Sequence, residues 1–107
     1  MLTETDAQLK SMSLPPLTHA IAAVGVGSWA QAVTMHYKSS ALPQTATVIT
    51  VEPDTAASLL ASLEAGKITP IPTGHTICNG MNCGTTSTTA WEVLRKGVDV
   101  SLSLIHI

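Results

Sequence analysis

The chain has 107 residues, of which 45% are apolar and only 11% charged, and its formal net charge is −2. That length suits one small domain and not two. The negative charge without a Lys/Arg cluster argues against nucleic acid, and no apolar run reaches the roughly 18 residues of a membrane helix.

Typical soluble domains carry about 25% charged residues. The deficit here predicts that much of the surface is buried against something else, in an oligomer or a larger α/β domain. The start, Met1-Leu2-Thr3-Glu4-Thr5-Asp6, is acidic and polar and does not read as a secretory signal. Two cysteines are too few for a disulfide framework and suit a reducing compartment, so cytoplasm is the expected location.

In chain order, Thr3 to Met12 reads as a short amphipathic helix capped by Thr3 or Thr5 and ended by Pro15-Pro16. Thr18 to Val24 is a nearly all-apolar strand, the pattern expected where both faces of a parallel sheet are covered. A helix follows from about Ser28 to Ser39, then a β-branched strand over Thr45 to Val51. Asp54 or Thr55 is the expected cap of a helix over Ala56 to Ala65, closed by Gly66. Lys67 to Thr85, rich in proline and glycine, reads as a long functional loop. Thr86 or Ser87 to Lys96 is a further helix ended by Gly97, and a third strand is expected from Val98. This order predicts an α/β fold with a partial, doubly wound parallel sheet.

The most legible chemistry is Gly25-Val26-Gly27-Ser28 between a strand and a helix. Glycines remove Cβ atoms, so successive amides can face one anion, and the helix N-terminus adds partial positive charge. Gly25 to Ala30 also fits the G-x-G-x-x-G/A dinucleotide fingerprint, with Glu52 placed where a ribose-binding acid belongs. A dinucleotide module, another phosphate-bearing cofactor and a turn serving only close packing all remain open at this point.

His75, Cys78 and Cys83 lie in one loop, but H-x2-C-x4-C lacks a fourth ligand and matches no common zinc pattern, so no metal is expected. His19, His36 and His106 have no evident catalytic partner. Lys10, Lys38, Lys67 and Lys96 sit near helix ends or in polar context, and none reads as a Schiff-base lysine. Trp29, Tyr37 and Trp91 are explained by packing.

Several blocks resemble diaminopropionate ammonia-lyase, of the tryptophan-synthase-β-like group of pyridoxal-phosphate enzymes. They are Leu14-Pro15-Pro16-Leu17-Thr18-His19, Val24-Gly25-Val26-Gly27-Ser28, Val51-Glu52-Pro53-Asp54-Thr55-Ala56-Ala57, Gly80-Met81-Asn82-Cys83-Gly84 and Trp91-Glu92-Val93-Leu94-Arg95 with Gly97-Val98-Asp99. They keep sequence order, and the resemblance covers about Met1 to Asp99. The family enzymes are several times longer, so residues 1–99 are expected to be an internal fragment of the large cofactor domain.

The resemblance implies that Gly25, Val26, Gly27, Ser28 and the Trp29 backbone cradle the phosphate of pyridoxal 5'-phosphate. Glu52 would then be structural, and the Cys78 to Gly84 loop would lie near the active-site entrance. In the family the Schiff-base lysine lies upstream of anything present here, so no catalytic residue is assigned to this chain. The implied parent is a homodimeric enzyme that converts an amino acid, 2,3-diaminopropionate, to pyruvate and ammonia, while this chain alone is expected to be inactive. After Asp99 the family pattern ends: residues 100–107 form a departing tail, and Leu102 to Ile107 looks like translated adapter or read-through sequence. A non-catalytic piece, stable only when docked, is the remaining alternative.

Overall fold

The computed structural model describes residues 1–104. Its elements are α1 (Leu2–Ser11), β1 (His19–Ala23), α2 (Ser28–Tyr37), β2 (Thr47–Pro53), α3 (Ser58–Ala65), α4 (Thr88–Gly97) and β3 (Val100–Leu104), with 3-10 turns at Asp54–Ala56 and Asn79–Met81. The three strands form one parallel sheet in the order β1-β2-β3. The register sets Ala20 beside Val48 and Ala22 beside Thr50, then Thr50 beside Ser101 and Glu52 beside Ser103.

A strand order that runs one way, joined by right-handed crossovers, puts the connecting helices on one face. The core agrees. Ala20, Ala22 and Val24 of the β1 segment pack with Ala30, Val33 and Tyr37 of α2, Leu59 of α3, and Ala90, Trp91 and Leu94 of α4. The molecule is 44 × 29 × 18 Å, a slab rather than a ball. Its other sheet face is open: β1 alternates strictly, and Ile21 is 70% exposed. The expectation that both faces of β1 are covered is therefore corrected among the described residues. The arrangement is one half of a doubly wound sheet.

Helix boundaries follow local chemistry, with two corrections. Neither Thr3 nor Thr5 caps α1: the helix starts at Leu2, and the Thr5 hydroxyl donates to the Met1 carbonyl at 3.2 Å. Neither Asp54 nor Thr55 caps α3 either, because a 3-10 turn occupies Asp54–Ala56 and the helix begins at Ser58. Gly66 closes α3 in the left-handed region at φ 74°, as its position predicts. Ser87 caps α4 by accepting the Ala90 amide at 3.4 Å. Val100 to Leu104 of the tail pairs with β2 from Ile49 to Pro53. Ile105, His106 and Ile107 lie outside the described residues.

Candidate functional site

The β1 segment ends with Val24, whose amide still donates to Val51 across the sheet at 3.0 Å. The chain then turns through Gly25 and Val26 to Gly27, which opens α2 with φ 107°. A side chain is strained at that angle. A β-carbon at Gly27 would also lie 2.9 Å from Leu94 Cδ1 and 3.3 Å from Ala90 Cβ, so glycine lets the turn seat on α4. At Gly25 a β-carbon would come within 3.0 Å of the Gly80 carbonyl and 3.5 Å of Cys83 Sγ. Close packing thus accounts for both glycines.

The peptide orientations add something that packing does not require. The Val26 carbonyl accepts from the Ser87 amide at 2.7 Å, and the Gly27 carbonyl accepts from Gln31 at 2.8 Å. In a trans peptide the following N–H points the opposite way. The amides of Gly27 and Ser28 are therefore directed away from α4 and the helix body. Among the described residues, no acceptor meets the amides from Gly25 to Ala30. Three belong to the first turn of α2, which leaves them free in any helix; the turn adds three more. Val26 and Trp29 flank them, 45% and 43% exposed. One buried hydroxyl adjoins the turn: Thr86 is 1% exposed, its Oγ1 has no partner among the described residues, and its Cγ2 lies 3.8 Å from the Gly27 β-carbon position. A run of free amides at a helix start fits a phosphate.

The long loop is closed on itself and fastened to the segment that follows β2, at the carboxyl end of the sheet. Ile71 donates to Gly84 at 2.9 Å, Gly74 donates to Thr55 at 2.9 Å, and the Thr55 hydroxyl donates to the His75 carbonyl at 3.1 Å. The segment around Gly80 to Cys83 rests on Gly25. His75 and Cys78 are exposed and Cys83 is half-buried. No three His, Cys, Asp or Glu side chains converge as metal ligands among the described residues.

Glu52 is fully buried, and its carboxylate accepts the amides of Leu59 at 2.8 Å and Leu60 at 3.0 Å. It caps α3 and offers nothing to a ribose, which removes the main support for a dinucleotide module. Burial pushes its carboxyl above the ordinary 4.5, and the two amides pull partly back. The lysines lie elsewhere. Lys10 ends α1, Lys38 caps the C-terminus of α2, Lys67 follows α3, and Lys96 is in the last turn of α4. Lys38 pairs with Asp99 at 2.6 Å.

Residues 1–106 match the family described as "Pyridoxal-phosphate dependent enzyme". The chain belongs to that family. Its members and structural neighbours are pyridoxal-phosphate enzymes. Threonine deaminase from T.th. superposes on this family member with a TM-score of 0.84 at 30% identity, over 96% of this chain and 34% of that one. Diaminopropionate ammonia lyase from Escherichia coli superposes with a TM-score of 0.76 at 28% identity, over 96% of this chain and 25% of that one. Maize serine racemase shares the fold with a TM-score of 0.80 at 24% identity, over 95% of this chain and 31% of that one. This pyridoxal-phosphate family chain thus spans about a third or less of those proteins. A search of curated protein sequences found no match.

The sequence places Gly25 to Ser28 where strand passes into helix, and in the structure Gly25 to Gly27 turn from β1 into α2, with Ser28 and Trp29 opening that helix. Sequence reasoning missed Thr86 and Ser87 as neighbours of that turn; their only signal was a threonine- and serine-rich run that also reads as a helix cap. It missed the capping role of Glu52 as well.

Proposed function

We propose that the turn from Gly25 to Trp29 holds the phosphate of pyridoxal 5'-phosphate, and that this chain is the phosphate-holding part of an ammonia-lyase acting on 2,3-diaminopropionate. The observation that carries the first half is the run of amides from Gly25 to Ala30 without acceptors. The phosphate would accept from these amides at the α2 N-terminus, with Val26 and Trp29 as apolar walls. When bound, the cofactor supplies an electron sink for reactions at an amino acid's α-carbon. The residues here anchor and orient it, and they provide no proton-transferring lysine.

The substrate reading rests on the ordered blocks that resemble diaminopropionate ammonia-lyase. By the same resemblance the parent works as a homodimer in the cytoplasm on a free amino acid.

Cofactor binding is tested by titrating the isotope-labelled chain with pyridoxal 5'-phosphate and with pyridoxal. The phosphate-bearing compound should shift the amides of residues 25 to 30, with a Kd weaker than micromolar because the Schiff-base lysine is missing. Equal shifts from both compounds would remove the phosphate assignment. For the substrate, a chain extended upstream to include that lysine should release ammonia faster from 2,3-diaminopropionate than from threonine or serine. The reverse order would reassign it.

A further inference from the structure

We infer that the cavity between α1 and the segments leading into β1 and β2 binds a small carboxylate with a bulky hydrocarbon tail. The cavity measures about 430 Å³, and small-molecule pockets run from roughly 300 to 1,000 Å³. Leu17 precedes β1 and Leu42 precedes β2, so the cavity lies at the end of β1 opposite Gly25 and shares no residue with the glycine turn.

Its walls are fixed by the backbone. After α1 the Ser13 amide donates to the Lys10 carbonyl at 3.1 Å and the Leu14 amide to the Leu9 carbonyl at 3.0 Å. This double hydrogen bond ends many helices and usually needs glycine. Here Ser13 takes the left-handed conformation, at φ 58°. The turn carries Leu14 back toward Leu9, and both line the cavity with Leu17 and Leu42, which are half-buried against the core.

The charges decide the occupant. Asp6 lines the cavity but commits both oxygens within the protein, Oδ2 to His36 Nε2 and Oδ1 to the Tyr37 hydroxyl. Lys10, one helical turn further along α1, lines it too, is exposed, and pairs with no carboxylate among the described residues. The exposed Gln44 amide gives one long bond, 3.5 Å, to the Leu17 carbonyl and has a second N–H to offer. The rim thus carries uncommitted donors, one of them cationic, above apolar walls. A cationic ligand would have to take Asp6 from His36 and Tyr37, and a neutral hydrocarbon would leave Lys10 unused. A carboxylate that enters tail first buries its hydrocarbon against the leucines and keeps its head at the rim, where the flexible lysine stem can reach it.

The probes are 4-phenylbutyrate and its uncharged counterpart, 4-phenylbutan-1-ol, titrated into the isotope-labelled chain. Resonances of Leu9, Leu14, Leu17 and Leu42 are followed together with those of residues 25 to 30. The carboxylate should shift the four leucines and bind more tightly than the alcohol. Lys10→Met keeps an unbranched stem and removes the charge. Losing a partly exposed ion pair should weaken carboxylate binding about fivefold, leave the alcohol unaffected, and be largely restored in Lys10→Arg. Lys10 is exposed, so neither variant endangers the fold.

Equal affinity for the two probes overturns the carboxylate class. Wild-type affinity in Lys10→Met overturns the role of the lysine and the charge argument with it. Shifts confined to residues 25 to 30 place the ligand on the glycine turn and overturn the site. Absence of any shift at the four leucines overturns it as well.

Discussion

Glu52 and Leu59 are joined by a 2.8 Å hydrogen bond from the end of β2 to the first turn of α3. With the Leu60 amide at 3.0 Å, one buried carboxylate caps a whole helix. Glu52→Ala should cost about 2 kcal/mol in urea unfolding, because it strands two amides at the helix start.

The same carboxylate gives a signed pH dependence. Its folded pKa is raised above the ordinary 4.5, chiefly by burial. The folded state therefore holds the proton more tightly than the unfolded chain, and stability falls as pH rises from about 4.5 through the raised value. Glu52→Gln cannot titrate. The wild-type chain should lose stability relative to Glu52→Gln across that interval, and parallel pH curves for the two would refute the account.

Asp99 holds Val48 twice. Its carboxylate accepts the Val48 amide at 2.8 Å, and its own amide donates to the Val48 carbonyl at 3.0 Å. Lys38, then the Val48 amide, keep this carboxyl below the ordinary 3.8. The stability it contributes is fully present above 3.8 and disappears as pH falls through the lower, folded value. Asp99→Ala should cost about 1 kcal/mol at neutral pH, the discount reflecting an exposed pair. It should also flatten the acid limb of the stability curve. An unchanged acid limb would show that Asp99 is not its source.

Gly27→Val should be severe, since it combines φ 107° with overlap of Leu94 and Ala90. A loss of about 2–5 kcal/mol follows from backbone strain and overpacking, with phosphate binding lost too. Gly25→Ala is milder for the fold but pushes on Gly80 and approaches Cys83. In a Cys78→Ser background it should speed thiol modification of Cys83. A rate equal to that of glycine would mean the loop does not yield.

α1 fully buries no side chain; Leu2 packs partly buried against the core, and Asp6 meets His36 Nε2 at 2.5 Å and accepts from the Tyr37 hydroxyl at 3.3 Å. Burial raises the Tyr37 phenol above the ordinary 10.0, and the charge and hydrogen bond of Asp6 raise it further. Asp6→Asn should lower the phenol's titration while leaving it elevated, and should speed amide exchange throughout α1. Exchange confined to its wild-type rate would mean that something else holds the helix.

The parts legible in the sequence are those written locally. Gly27 and Gly66 hold a positive φ that few other residues accept, Gly25 stands where a β-carbon would press on Gly80, and Ser87 carries a capping hydroxyl, so the helix ends and the strand–turn–helix site are written locally. The cap of α3 is not, because the residue that supplies it stands seven positions before Leu59 and acts through a buried side chain. The open face of β1 was hidden for a related reason. An apolar strand reads alike whether its second face is covered within the chain or from outside it.

The placement of the side-chain cations sets how an anion can be captured. Lys10, Lys38, Lys67, Arg95 and Lys96 all mark helix C-terminal ends, whereas Gly27 stands at a helix N-terminus. Long-range electrostatic steering toward the turn is therefore weak, and what holds an anion there is a set of oriented dipoles acting at contact distance. Arrival should be an unguided, diffusional encounter nearly indifferent to ionic strength, and selectivity should come from shape once the anion is within hydrogen-bonding reach.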